Sequence, residues 1–174
     1  DSTEILQALV DQRLEEVLVL YMIDPEVADL ACKIGPGGSM TVKLGGKSDP
    51  AQGQSVETEV DVISTSNGVF EYDGPMLAGI TGNAGPSAWL RSDGISVVVV
   101  SVAIQPLDQA FVRSLGIDCT AMRYNVVKSC AHFRSGFEEI AGSIHNVEAR
   151  AIHSHNFQNL TYRNVKRDLY PLVD

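Results

Sequence analysis

The feature that most constrains the fold is an apolar run from Ile95 to Ile104, which directly follows an Asp93-Gly94 pair. Two serines interrupt the run, and it is far shorter than the ~20 residues that a membrane helix needs, so its length suits a buried strand. Asp-Gly is a strong signal for a tight hairpin turn, because both central residues of such a turn need a positive φ. The run is therefore predicted to pair in antiparallel fashion with the segment around Trp89 to Arg91.

The preceding segment continues the β pattern. Apolar residues alternate with polar ones from Met40 to Leu44, and the alternation returns from Val56 to Ile63. Asn67-Gly68 is a second turn signal, which predicts a hairpin between that strand and Val69 to Tyr72. The middle of the chain is accordingly interpreted as antiparallel sheet.

Both ends of the chain alternate between helix and strand patterns. The first forty residues predict a helix capped by Asp1 or Ser2, a buried strand from Val17 to Ile23, and a helix that begins at Asp24-Pro25. In the last third the predicted elements are a helix from Asp108 to Leu115, a strand from Tyr124 to Lys128, a helix from Phe133 to Ala141 and a strand from Ser143 to Val147. The predicted fold is α/β of mixed α+β character. One domain, residues 1–174, has a mixed, largely antiparallel central sheet flanked by helices.

Charge and cysteine content narrow the function classes. The net charge of −9 argues against nucleic acid, because phosphate binding needs clustered Lys and Arg. No apolar run is long enough to span a membrane. Cys32, Cys119 and Cys130 are an odd, widely spaced set without a visible signal peptide, which predicts buried free thiols in a reduced, cytoplasmic protein. Homo-oligomer formation is left open.

The best candidate for a chemical site lies between Val126 and Arg134, where an apolar strand pattern stops at a polar cluster and a helix pattern follows. In open α/β folds the carboxyl ends of strands face the ligand crevice. Candidate binding residues are Lys128, Ser129, His132 and Arg134. Gln105 joins them as a residue that follows the longest strand, on what could be the same edge.

Three other motifs resemble a phosphate-binding loop, a metal site and a catalytic nucleophile, but the sequence favours a purely structural role for each. Gly45-Gly46-Lys47-Ser48 lacks the first glycine of a phosphate-binding loop and leads into Asp-Pro, so a glycine-rich turn explains it better. His153 and His155 have the spacing of metal ligands on a strand, but zinc needs at least three protein ligands and no neighbour completes the set. Ser129, Cys130 and His132 lack the glycines of a nucleophile elbow.

Several motifs occur in an order that resembles the C-terminal domain of microcystinase C (MlrC)-like metallopeptidases. These are Leu44-Gly45-Gly46-Lys47, Asp73-Gly74-Pro75-Met76, Gln105-Pro106-Leu107-Asp108, Arg113 to Asp118, Val126 to Ser129 with His132-Phe133-Arg134, Leu160 to Arg163 and Tyr170-Pro171-Leu172. The resemblance spans essentially the whole chain and depends on the ordered set.

The resemblance implies a zinc-dependent hydrolase of linear peptides or related amides. It also implies that the zinc ligands and the catalytic acid lie in an N-terminal domain that precedes a domain like this one, so no metal or cofactor is expected in this chain alone. The chain begins with Asp1, which is consistent with a fragment of a two-domain protein. Two alternatives remain: a non-catalytic domain that binds an anionic ligand or a neighbouring subunit, and a metalloenzyme that builds a zinc site from its four histidines.

Overall fold

The computed structural model describes residues 3–47, 53–149, 157, 161–166 and 170. Its helices are α1 (Glu4–Asp11), α2 (Pro25–Ile34), α3 (Ala110–Ser114) and α4 (Arg134–Phe137). Its strands are β1 (Val17–Ile23), β2 (Ser39–Leu44), β3 (Val56–Ser66), β4 (Val69–Glu71), β5 (Thr81–Asn83), β6 (Ser87–Ser92), β7 (Ile95–Val100) and β8 (Tyr124–Val127). Two 3₁₀ turns, Cys119–Ala121 and Glu138–Ile140, complete the described secondary structure.

Six of the strands form one mixed sheet in the order β2-β3-β6-β7-β1-β8. The pairs from β2 to β7 are antiparallel, whereas β1 lies parallel to both β7 and β8. The remaining strands, β4 and β5, form a separate two-stranded antiparallel sheet. This arrangement confirms the predicted mixed, largely antiparallel sheet flanked by helices.

The central sheet is covered on both faces, and each face has its own apolar core. On one face, Leu6 of α1 and Val27, Ala28 and Ala31 of α2 pack against inward-facing residues of the sheet. A second cluster covers the other face. It contains Phe111 and Val112 of α3, Phe133 and Phe137 around α4, Phe70 of β4 and Tyr72 just after β4. Every residue of β7 is buried, which explains why its sequence is apolar at every position except Ser96.

Local sequence signals account for the best-predicted elements. The strand Val17–Ile23 has the predicted bounds. The next helix begins as expected, because the Asp24 carboxylate accepts a hydrogen bond from the Val27 amide and Pro25 occupies the first helical position. Asp93 and Gly94 both have positive φ, 42° and 84°, and they join β6 to β7 in a two-residue hairpin.

The predicted hairpin at Asn67-Gly68 is wrong in its pairing, although the turn is present. The Asn67 side chain accepts a hydrogen bond from the Val69 amide, and Gly68 has a φ of 83°. However, both edges of β3 are already paired, with β2 on one side and β6 on the other. The chain after Gly68 therefore leaves the main sheet, and β4 pairs with β5 instead.

Three other predictions need correction, and a fourth is not tested. The helix expected over residues 133–141 is a single α-helical turn followed by a 3₁₀ turn, and residues 143–147 belong to no strand. Cys119 is buried, but Cys32 is half-buried and Cys130 is exposed. The predicted cap at Asp1 or Ser2 lies outside the described residues, and α1 starts after Thr3 without a side-chain cap.

Candidate functional site

The candidate site lies at the carboxyl edge of the three parallel strands. Because β7, β1 and β8 run in the same direction, the segments after Val100, Ile23 and Val127 leave the sheet at one edge. The segment after β8 extends the ladder by one further bond, from the Lys128 amide to the Leu20 carbonyl, at 2.8 Å. This edge is where open α/β sheets bind ligands.

His132 and Gln105, which are predicted from separate motifs, are in contact. The His132 Nδ1 atom lies 3.1 Å from the Gln105 Oε1 atom, and both side chains are exposed. If the Gln105 oxygen accepts this hydrogen bond, the Nδ1 atom of His132 carries the hydrogen. The Nε2 atom of His132 can then accept a hydrogen bond from another donor. The two residues thus form one polar pair, which we call the rim pair.

Lys128 and Ser129 lie at the start of the same segment. Lys128 is exposed to solvent on part of its surface, yet packing against the protein desolvates its amine enough to lower its pKa from the ordinary 10.5. The Ser129 hydroxyl accepts a hydrogen bond from the Phe133 amide, at 3.3 Å, so its oxygen helps to shape the turn that leads into α4. Ser129 consequently has a structural role beside any role in binding.

Arg134 is engaged along its own helix. Its guanidinium donates to the Glu138 carboxylate at 2.8 Å and lies 5.5 Å from the centre of the Phe133 ring. Both charged groups are exposed, so this ion pair contributes little stability and leaves Arg134 able to exchange partners. The helix itself has only four residues, so its dipole is too short to contribute much to anion binding.

A buried carboxylate at the start of the helix predicted from Asp108 to Leu115 links the segments at this edge of the sheet. Asp108 is 5% exposed. One oxygen accepts a hydrogen bond from the Ala110 amide, the first residue of α3, at 2.9 Å. The other accepts bonds from the amides of Asp73 and Gly74, at 3.1 and 2.8 Å. Two of the motifs that carried the family resemblance are therefore bonded to each other.

Further hydrogen bonds tie the segment after β7 to the segment after β8. The Ser135 hydroxyl donates to the Leu107 carbonyl at 2.9 Å, and the side-chain amide (Nε2) of Gln109 donates to the Gly136 carbonyl at 2.7 Å. A side chain at Gly136 would meet the Asp108 Cα atom at 2.4 Å, so only glycine permits this approach. The two residues of the rim pair therefore belong to segments that hydrogen bonds and close packing hold together.

A second polar cluster, which sequence reasoning missed, follows β1. The buried Asp24 carboxylate accepts hydrogen bonds from the Gly45 amide at 3.0 Å and from the Lys47 amine at 2.9 Å. Lys47 also lies 2.9 Å from Glu26. Partial burial opposes the charge on Lys47, but its hydrogen bonds to the two carboxylates outweigh burial and raise its pKa. The glycine-rich segment is therefore a turn that closes on Asp24, which agrees with the structural alternative for this motif.

The described residues do not offer a metal site. Within residues 3–47, 53–149, 157, 161–166 and 170, no three His, Cys, Asp or Glu side chains form a group that could hold an ion. His145 contacts the Ser143 hydroxyl at 3.2 Å, and His153 and His155 lie outside the described residues. In the same ranges no helix is long and apolar enough to cross a lipid bilayer.

Comparison with known proteins places the chain among one group of relatives. The sequence model of the family described as MlrC C-terminus matches residues 1–164. Microcystinase C from Sphingomonas sp. is 25% identical over 144 residues, which cover 83% of this chain and 28% of the relative. A solved structure from Mesorhizobium sp. BNC1, named "Putative metallopeptidase", shares the fold with a TM-score of 0.72 and 24% identity, covering 81% of this chain and 28% of that one. The chain therefore corresponds to less than a third of the length of these relatives.

Proposed function

Because this chain belongs to the MlrC C-terminus family, we propose that it is the companion domain of a zinc-dependent metallopeptidase or related amide hydrolase. In this proposal the zinc ligands and the catalytic acid lie in a separate N-terminal domain, and this domain helps to form or close the substrate cleft. The family match over residues 1–164 carries the proposal. The name Microcystinase C supports a peptide or amide substrate, and the 28% share of that relative's length supports a larger parent protein.

The described residues do not fit a zinc site, so no step of the reaction is assigned to zinc bound here. The role of this domain in the proposal is to contact the substrate through its carboxyl edge. We assign substrate contact to Lys128, Ser129, His132, Arg134 and Gln105. The rim pair is the best-supported part of this set, because its two side chains are exposed and in contact, and the segments beneath them are locked by hydrogen bonds.

The chemistry of these residues suits the polar parts of a peptide. A lysine amine, a guanidinium and an imidazole can donate hydrogen bonds to carbonyl and carboxylate oxygens, and the Gln105 side chain can both donate and accept. The pKa of Lys128 is lowered from its ordinary value by partial desolvation, which also strengthens hydrogen bonds to a bound anionic group. The odd, widely spaced set of three cysteines in the sequence favours a cytoplasmic location within the same proposal.

The test uses the full-length parent protein and a linear peptide substrate. Replacing Lys128, His132 or Gln105 by alanine should lower kcat/KM by roughly 5- to 100-fold, the effect of losing one or two hydrogen bonds to a substrate. Lys43→Ala is the control, because Lys43 is an exposed lysine on β2 at the far edge of the sheet. The temperature of thermal unfolding must be the same in each variant as in the wild type. A wild-type kcat/KM in the Lys128, His132 and Gln105 variants alike would refute the proposed role in the substrate cleft.

The alternative function, a non-catalytic binding or assembly domain, gives a different result in the same system. Removal of this domain from the parent protein would then leave hydrolysis of a short linear peptide intact and change only the oligomeric state or the localisation. Under the companion-domain proposal, hydrolysis is lost on removal and returns when the separate domain is added back.

A further inference from the structure

An exposed loop without charged side chains begins at Gly74, whose amide is bonded to Asp108. The loop joins β4 to β5 and contains Gly-Pro-Met-Leu-Ala-Gly-Ile at residues 74–80; we call it the apolar loop. Its three large side chains are solvent-exposed: Met76 by 46%, Leu77 by 37% and Ile80 by 54%. Single exposed apolar residues need no explanation, but three within five residues form a patch of the kind that marks an interaction site.

The apolar loop is held rigidly although it is exposed. The amides of Asp73, which precedes the loop, and of Gly74, its first residue, donate to the buried Asp108 carboxylate, and Asp73 forms an ion pair with Arg113. At its other end, the Tyr72 amide donates to the Ile80 carbonyl at 2.9 Å, and the Gly79 amide donates to the Tyr72 carbonyl at 2.8 Å. A loop that is ordered before binding loses little conformational entropy when a partner covers it. The fold thus presents these apolar side chains in a fixed arrangement.

We propose that the apolar loop is the surface on which the rest of the parent polypeptide packs. This proposal rests on the companion-domain function above, since it needs a longer protein. The matched relatives have about 70% of their length outside the region that this chain matches, so such a protein contains ample chain to cover the loop. A covalently joined partner also acts at a high effective concentration, which suits a small patch.

A second copy of this chain is a poorer occupant. Each copy carries a net charge of −9, so two copies repel each other as they approach. The apolar loop itself carries no charged side chain that could offset this repulsion. The first residue of the loop is bonded to Asp108, which belongs to the same segment as Gln105, so the proposal places the docked partner on the side of the sheet that carries the rim pair. This position is where a second domain must lie if the two are to form one cleft.

Methionine oxidation gives a direct measure of whether the loop is covered. Met76 is far more exposed than Met22 and Met40, which are 4% and 9% exposed. In the 174-residue chain, hydrogen peroxide should therefore oxidise Met76 before Met22 and Met40. In the full-length parent protein, we expect the oxidation rate of Met76 to fall by about tenfold or more, because access to the sulfur controls the reaction. Slow oxidation of Met22 and Met40 in both proteins confirms that neither has unfolded.

Substitution provides the second arm of the test. Leu77→Ser in the full-length protein should restore much of the Met76 oxidation rate by weakening the contact. Leu30→Ser is the matched control, because Leu30 is 41% exposed on α2, which packs on the opposite face of the sheet. The control should leave the Met76 oxidation rate unchanged. Both variants of the 174-residue chain should unfold at the wild-type temperature, since neither side chain is buried there.

Three results would overturn the proposal. Met76 could oxidise equally fast in both proteins, which would leave the loop uncovered. Protection of Met76 could depend on protein concentration, which would identify a second copy as the occupant. Protection could also require an added peptide substrate, which would make the loop part of the cleft wall. None of these results depends on the activity of the rim variants, so failure here is distinguishable from failure of the proposed function.

Discussion

The Asp108 carboxylate makes the most specific prediction about stability. Asp108→Ala leaves three backbone amides, those of Ala110, Asp73 and Gly74, without their acceptor. A hydrogen bond to a charged group contributes about 1.5–3 kcal/mol, but the two loop amides can regain water if the loop opens. Loss of the hydrogen bond to the Ala110 amide alone costs about 1 kcal/mol. We therefore expect the free energy of unfolding to fall by about 3–5 kcal/mol.

Asp108→Asn separates the two functions of the carboxylate. An amide has one acceptor oxygen, so it can keep the bond to Ala110 or the bonds to the loop, but not both. The expected loss is roughly 1.5–3 kcal/mol, between that of the wild type and that of the alanine variant. Hydrogen exchange should show faster exchange of the Asp73 and Gly74 amides in both variants, because their shared acceptor is weakened or lost.

The assay is urea-induced unfolding followed by circular dichroism, with Asp118→Ala as the matched control. Asp118 also accepts a capping bond, from the Thr120 amide at 2.8 Å, but it is exposed to solvent. Its loss should destabilise the fold much less than the loss of Asp108, since water can replace the exposed carboxylate. The reasoning fails if Asp108→Ala costs no more than Asp118→Ala, or if exchange at Asp73 and Gly74 does not change.

Three further predictions follow from the same structure. Gly136→Ala should destabilise the fold by about 1–3 kcal/mol through overpacking against Asp108, whereas Gly142→Ala, which meets no atom within 4 Å, should not; equal unfolding midpoints would refute the close approach. Cys130 should react with iodoacetamide well before Cys119, because burial, assisted by the nearby Asp118 carboxylate, raises the pKa of Cys119 to about 11, and peptide mapping of the alkylated sites checks the order. The pKa of Lys128 is lower in the folded protein than its ordinary 10.5, so the unfolded chain binds more protons at pH values between the folded-state pKa and 10.5. The wild type should therefore gain stability relative to Lys128→Met as the pH rises toward 10.5. A difference in urea midpoint that stays constant with pH would contradict the desolvation of this amine.

Much of the fold could be predicted because its signals are local. The bounds of β1, the Asp24-Pro25 helix start and the Asp93-Gly94 hairpin depend on residues that are adjacent in the chain. The Asn67-Gly68 hairpin failed for the opposite reason. Its turn forms as expected, but the pairing of β3 is decided by β2 and β6, which come from elsewhere in the sequence.

The candidate site shows the same division between sequence and tertiary structure. From the sequence alone it followed that the chain folds as a mixed α/β domain and that polar residues gather where β7 and β8 end. That His132 meets Gln105, that Asp108 holds the apolar loop, and that Lys47 closes on Asp24 were decided only by tertiary structure. The physical reason is range: turns, caps and periodicity act over a few residues, whereas these contacts join residues 23–35 positions apart, and only the packed sheet brings them within hydrogen-bonding distance.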